Sequence, residues 1–227
     1  PPLPVPLPVP LPLPLTRAAL RSLSRFEHVD GQFATTVFIP IPPSDALAAI
    51  LASPNASTSS LTPIPATDLH LSLSRTAPIV DAQRHSLLAE LRKAIQKTAR
   101  KHLAGNNTSP SDVRIRIGAG EPRFLTNDDR SRTFLALTAD GTDADETALL
   151  LGLVDATSSV FTRHGLPAYY DEKLLHVSIA WRAGKQRETS DTSDTPGTTR
   201  HAVPPYVVSV DSVTCRIGKK DHRIPLR

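Results

Sequence analysis

Apolar and polar residues alternate strictly in two short stretches far apart in the chain. His70-Leu71-Ser72-Leu73-Ser74 and His176-Val177-Ser178-Ile179-Ala180-Trp181 each open on a histidine, place a serine two residues on, and fill the positions between with aliphatic side chains. Successive side chains on a strand point to opposite faces, so the pattern predicts His70, Ser72 and Ser74 on one face and Leu69, Leu71 and Leu73 on the other. In the second copy, His176, Ser178 and Ala180 share a face, with Leu175, Val177, Ile179 and Trp181 opposite. Each strand therefore buries one side and offers an imidazole and a hydroxyl on the other.

Other patterns supply the framework. Gln32 to Pro40, rich in aromatic and β-branched residues, predicts the first strand, closed by Pro42-Pro43. Ser44 or Asp45 can cap a short apolar helix through Leu51, and Ser53 to Thr62 is a polar loop. The histidine strand from Asp68 to Ser74 follows. Leu87, Leu91 and Ile95 recur every four residues and predict a helix from Pro78 to Ala104, with Thr76 as cap and Gly105 just past its end. Its other face, with Arg84, Arg92, Lys93, Lys97, Arg100 and Lys101, reads as a solvated surface. Strands are predicted at Asp112 to Ile117 and Thr133 to Thr138, either side of a turn at Asn127-Asp128-Asp129. Thr142 with Asp145 marks the start of a second helix that carries Leu150, Val154 and Phe161 and stops at Gly165. The second histidine strand, Leu174 to Trp181, comes next. Gly184 to Pro205 has no apolar periodicity and is expected to be a mobile insertion. Tyr206 to Ile217 is predicted as a final strand. The order β-α-β-α-β-β-α-β-β predicts an α+β fold of two similar lobes, each supplying one histidine strand to a common groove.

Composition narrows the picture only modestly. Residues Pro1 to Leu15 alternate proline with leucine or valine, which forbids helix and favours extended polyproline II; they are expected to be a disordered tail ahead of one domain spanning residues 16–227. With 227 residues, 39% of them hydrophobic, the chain can bury a proper core. A formal net charge of +4 permits an anionic partner without demanding one. A single cysteine, Cys215, rules out an internal disulfide framework and suits a reducing compartment. No stretch reaches the roughly 20 apolar residues of a membrane helix, so no membrane partner is expected. The chain has no methionine and reads as lacking its natural start.

Two histidines facing one cleft suit proton transfer at neutral pH, one taking a proton as the other gives one. A serine about 7 Å further along the same face could donate a hydrogen bond to an anion held between the imidazoles. His70, His176, Ser72 and Ser178 thus describe a phosphodiester site without a metal, suited to attack by a ribose 2′-OH on the adjacent phosphorus or by water on a cyclic phosphate. Zinc would call for a local ligand pair such as His-x₃-His, and neither histidine has one. There is no Gly-x-Ser-x-Gly nucleophile elbow, and Gly118 to Gly120 lacks the rest of a phosphate-cradling loop. Coincidence would explain one such strand; two copies with serine at the same offset argue against it.

The paired His-x-Ser motifs resemble the 2H phosphoesterase superfamily. The longer stretches HLSLS and YYDEKLLHVSIAW are more similar still to its U6 small nuclear RNA phosphodiesterase (Usb1/Mpn1) family. The likeness extends over Arg25 to His28, Phe33 to Phe38, Arg132 to Leu137 and Cys215-Arg216 to Pro225-Leu226, and leaves out the proline tail. It implies two pseudo-symmetric βαβ-type lobes with antiparallel sheets around a groove. It also implies a nuclear, metal- and cofactor-independent 3′→5′ exoribonuclease, acting as a monomer on the oligouridine end of U6 RNA and leaving a 2′,3′-cyclic phosphate that some members open to a monoester. By the same resemblance His70 and His176 would be the acid–base pair, Ser72 and Ser178 the phosphate donors, and Tyr170 an aromatic against the terminal base. Two other readings stay open: a 2′,3′-cyclic phosphodiesterase acting on small nucleotides or transfer RNA ends, and an RNA-binding module without turnover.

Overall fold

The computed structural model describes residues 29–43, 61–103, 113–118, 120, 122–127, 130–184 and 205–226. The proline tail, the short helix expected from Ser44, and nearly all of the 184–205 segment lie outside the described residues. The strands are β1 (Gln32–Pro40), β2 (Thr62–Pro63), β3 (His70–Ser72), β4 (Ala77–Val80), β5 (Val113–Ile117), β6 (Arg123–Thr126), β7 (Arg132–Gly141), β8 (His176–Ala183), β9 (Tyr206–Val210), β10 (Ser212–Ile217) and β11 (Lys220–Pro225). The helices are α1 (Arg84–Leu103) and α2 (Ala144–Arg163).

Every strand pairing is antiparallel, and the main path runs β11-β10-β1-β3-β8-β7-β5-β9. β9 ends this path and β10 is next to its other end, yet Asp211 alone separates the two in sequence. One residue spans only a few ångströms, so the sheet has to curl until β9 comes round to β10. The expected antiparallel α+β architecture is therefore present. Its halves, β1-β4 with α1 and β5-β8 with α2, join at the β3–β8 pair, which makes the two histidine strands direct neighbours.

The aliphatic faces of these strands and both helices form one buried cluster. Val37, Leu71 and Val177 from the sheet, Leu87, Leu91 and Ile95 from α1, and Leu150, Val154 and Phe161 from α2 all belong to it. α2 is fixed at its start by two carboxylates, that of the cap Asp143 and that of Glu146 three residues on. Asp143 accepts from the Glu146 amide at 2.8 Å, and Glu146 reaches back to the amides of Thr142 and Arg114, each at 2.9 Å. The cap is thus one residue later than the Thr142 the sequence suggested. A side chain on Gly141 would lie 2.2 Å from the Thr147 amide, so only glycine lets β7 turn this closely into α2.

Three boundaries depart from expectation. Pro78 does not start α1: Ala77–Val80 pairs with Thr35 to Gln32 of β1 as an edge strand, where a proline without an N–H costs no ladder bond, and the helix begins at Arg84. β6 and β11 carry no clear alternation and were not foreseen; β11 is the return arm of a hairpin with β10, closed by Gly218 at φ 59°. The single final strand is in fact β9 and β10, split at Asp211 between opposite sides of the sheet, β9 pairing with β5 and β10 with β1.

Candidate active site

Leu71 of β3 faces Val177 of β8, and both side chains are fully buried. In an antiparallel ladder the residues one step either side of such a pair are also opposed, on the other face. His70 therefore lies opposite Ser178, and Ser72 opposite His176. All four are partly exposed, against 0% for Leu71 and Val177, so the face that carries them is open. The equal His-x-Ser spacing in the two motifs now has a geometric meaning, since each histidine meets the serine of the other strand. The two histidines are diagonal neighbours, about 7–8 Å apart along the backbone, a span that two imidazoles can close around one phosphoryl group.

Both rings are held in the same way. The Nδ1 of His70 bonds the Asp68 carbonyl at 2.7 Å, and the Nδ1 of His176 bonds the Leu174 carbonyl at 2.8 Å. A carbonyl oxygen only accepts, so each Nδ1 carries a proton and Nε2 is the nitrogen available for proton transfer. The Leu174 carbonyl also receives a long bond, 3.4 Å, from the Tyr169 hydroxyl. Burial pushes that phenol's pKa up to about 12, which keeps it a donor at all ordinary pH.

His70 has a further set of neighbours that the sequence did not single out. The Phe38 ring lies 5.0 Å from its imidazole, and the Arg216 guanidinium sits 5.1 Å from the centre of the same Phe38 ring. Asp221 grips Arg216 with two bonds, 2.6 and 2.8 Å. Burial lowers the pKa of His70 most; the charges of Arg216 and His176 add to that, while the Asp68 carbonyl and carboxylate oppose it. Phe38 could have been found from register alone, because it pairs with Ser72 across β1 and β3. Arg216 could not, since β10 lies two strands away from the motif.

Three positions within the motifs do not follow strict alternation. Ser74 lies beyond the end of β3 and is buried, accepting the Val37 amide at 2.8 Å; it is a structural tie rather than part of the open face. In β8, Ala136 of β7 pairs with Ser178 and Leu135 with Ala180, which leaves Ile179 as the extra residue of a β-bulge. Beyond the bulge the faces exchange. Ala180 turns into the core, 3% exposed, and Trp181 pairs with Phe134 on the face of His176 and Ser178. Arg132 covers the indole, its guanidinium 5.3 Å from the ring centre.

Tyr170 is not on the ladder. It stands on the loop before β8, 36% exposed, edge-on to Tyr169 at 5.4 Å and with the Arg75 guanidinium 4.9 Å from its ring centre. The Ser158 hydroxyl accepts the Tyr169 amide at 3.0 Å and anchors this loop to α2. Arg75 lies three residues past Ser72, the last residue of β3, so Tyr170 belongs to the Ser72–His176 end of the site. Among the other described histidines, His164 pairs with Glu90 at 3.2 Å, away from the groove. Among the described residues no three His, Cys, Asp or Glu side chains cluster as metal ligands do.

A curled antiparallel sheet that sets two His-x-Ser strands side by side on its open face is the fold of a 2H phosphoesterase. The chain belongs to the HVSL family, described as an uncharacterised conserved protein, whose model matches residues 18–225. It is 28% identical over 169 residues to U6 snRNA phosphodiesterase 1 of Danio rerio, covering 73% of this chain and 54% of that protein. With the Drosophila melanogaster protein of the same name it shares 27% over 168 residues, 71% of this chain and 57% of that one. The chain thus spans little more than half the length of these relatives. Among solved structures, Kluyveromyces marxianus Usb1 superposes with a TM-score of 0.51 at 16% identity, covering 85% of this chain and 98% of that one. The same protein with uridine monophosphate gives a TM-score of 0.53 at 15% identity, with the same coverage. These likenesses are in fold.

Proposed function

We propose that this protein is an RNA phosphodiesterase that trims the 3′ oligouridine end of U6 RNA by internal transesterification, in the nucleus, as a monomer and without metal or cofactor. The observation that carries the reading is the square of His70 opposite Ser178 and His176 opposite Ser72, with Nδ1 of each imidazole tied to a backbone carbonyl. The relatives named U6 snRNA phosphodiesterase 1 support the choice of RNA.

The ribose 2′-OH on the 5′ side of the scissile phosphate gives its proton to one Nε2 and its oxygen bonds to phosphorus. The P–O5′ bond breaks, and the departing 5′ oxygen takes a proton from the other Nε2. The products are a nucleoside and a chain shortened by one residue that ends in a 2′,3′-cyclic phosphate. The Ser72 and Ser178 hydroxyls donate to the non-bridging oxygens, where charge grows in the transition state. We assign the base to His70, because its lowered proton affinity leaves it neutral at pH 7, and the acid to His176. The same assignment places the leaving nucleoside toward Tyr170.

The experiment is trimming of oligouridine by the His70→Ala and His176→Ala variants, each expected to lose roughly 10²–10⁴ in rate. A substrate with sulfur in place of the 5′ bridging oxygen leaves without a proton. It should rescue His176→Ala and not His70→Ala; the reverse pattern exchanges the two roles, and full activity of either variant on ordinary RNA removes it from the chemistry. A linear substrate also separates trimming from a cyclic-phosphate hydrolase, which leaves its length unchanged.

A further inference from the structure

The four-residue square lies between two arginine–aromatic pairs. At the Ser72–His176 end stands Tyr170 with Arg75 at 4.9 Å. At the His70–Ser178 end stands Trp181 with Arg132 at 5.3 Å. Trp181 is one same-face step beyond Ser178, about 7 Å along the strand. It reaches that face only through the Ile179 bulge; an unbroken strand would have turned the chain's single tryptophan toward the core. Bulges that re-aim a side chain beside a site are common devices of that kind. Here the bulge leaves the largest aromatic side chain partly exposed with Arg132 on its ring, while the exposed Arg123 lies on the same face two strands over, paired with Ala136.

We propose that Trp181, with Arg132 stacked on it, is a second nucleobase subsite that holds the nucleotide on the 5′ side of the scissile phosphate, opposite in direction to Tyr170. This rests on the RNA-trimming reading and extends it. Bases stack on aromatic rings and on guanidinium planes alike, and a basic groove beside them tracks the backbone. The nucleotide so held is the one whose 2′-OH is the nucleophile, so the platform would orient the attacking oxygen toward His70. A ring face carries no hydrogen-bond code, so the subsite should accept any base and favour single-stranded over paired RNA.

The test compares two oligouridines, one intact and one whose penultimate nucleotide lacks its base but keeps ribose and phosphate, each offered to the wild type and to Trp181→Ala. On the intact substrate, Trp181→Ala should lower kcat/KM roughly five- to a hundredfold, the range one stacked base spans. On the abasic substrate the wild type should already show that loss, and Trp181→Ala should add nothing to it. Trp181→Phe, which keeps a ring, should recover most of the activity on the intact substrate, and Arg132→Ala should give a smaller loss confined to it. Equal losses on both substrates would make Trp181 a packing residue and overturn the subsite, as would no loss on either. If the wild type trims neither substrate, the function itself falls and the subsite with it; trimming without discrimination overturns the subsite alone.

Discussion

His70 is the residue on which the acid–base assignment turns. Burial, Arg216 and His176 hold its pKa below the ordinary 6.5, and a base acts only when neutral. The rate should therefore rise with pH through a midpoint below 6.5 and be fully developed at neutrality. The acid limb of kcat/KM against pH measures that midpoint; a midpoint above 6.5 would contradict the assignment. Replacing Arg216 by Gln removes one of the charges that disfavour the imidazolium, so the limb should move up toward 6.5, though not all the way, because burial is the larger cause. An unmoved limb would mean that the Arg216 charge is not felt at His70. At this scale the sequence was informative where spacing was informative. His70, Ser72, His176 and Ser178 could be placed on one face from period two alone. Trp181 and Ser74 could not, because a bulge and a strand end break that period without any mark in the residues themselves. Phe38 and Arg216 reach His70 only through neighbouring strands.

Among the elements, the β3–β8 pair bears most of the geometry on a single contact. Leu71 and Val177 oppose one another at full burial beneath the four groove residues. Truncating Leu71 to Ala leaves a cavity under the site and should cost about 2–5 kcal/mol of stability. For a chain of this size that corresponds to a fall in Tm of roughly 4–20 °C, readable by calorimetry. A change within error would show that the pair does not hold the strands in register. The long helices were legible because Leu87, Leu91 and Ile95, and later Leu150, Val154 and Phe161, repeat at helical spacing. The edge strand β4 was not, since Pro78-Ile79-Val80 looks like the lead-in to a helix until β1 is present to pair with it. β6 and β11 escaped for a related reason: Lys220 to Pro225 is mostly polar, and its hairpin with β10, not its own pattern, makes it a strand.

At the scale of the molecule, the sequence implied two similar halves around a groove, and the structure shows how they join. β3 and β8 pair directly, β10 sets Arg216 at the edge of the site from two strands away through β1, and the sheet curls so that β9 and β10 meet. The passage from Val210 to Ser212 through one residue dictates that curl, and no local pattern announces it. An arginine–aromatic pair stands at either end of the four-residue square, Arg75 with Tyr170 and Arg132 with Trp181. No helix among the described residues is long and apolar enough to cross a membrane. Activity on oligouridine should survive saturating EDTA, because the proton transfers and the charge stabilisation are assigned to His70, His176, Ser72 and Ser178; loss of activity that added divalent ions restore would bring a metal into the mechanism.

The most direct test of the central claim is a 5′-labelled oligouridine that carries a single 2′-deoxyribose at its penultimate position, set beside the all-ribose strand. Under internal transesterification the all-ribose strand loses its terminal nucleoside and acquires a 2′,3′-cyclic phosphate, and the deoxy strand is not shortened, because its scissile phosphate has no neighbouring 2′-OH. Release of the terminal nucleoside from the deoxy strand would contradict internal transesterification.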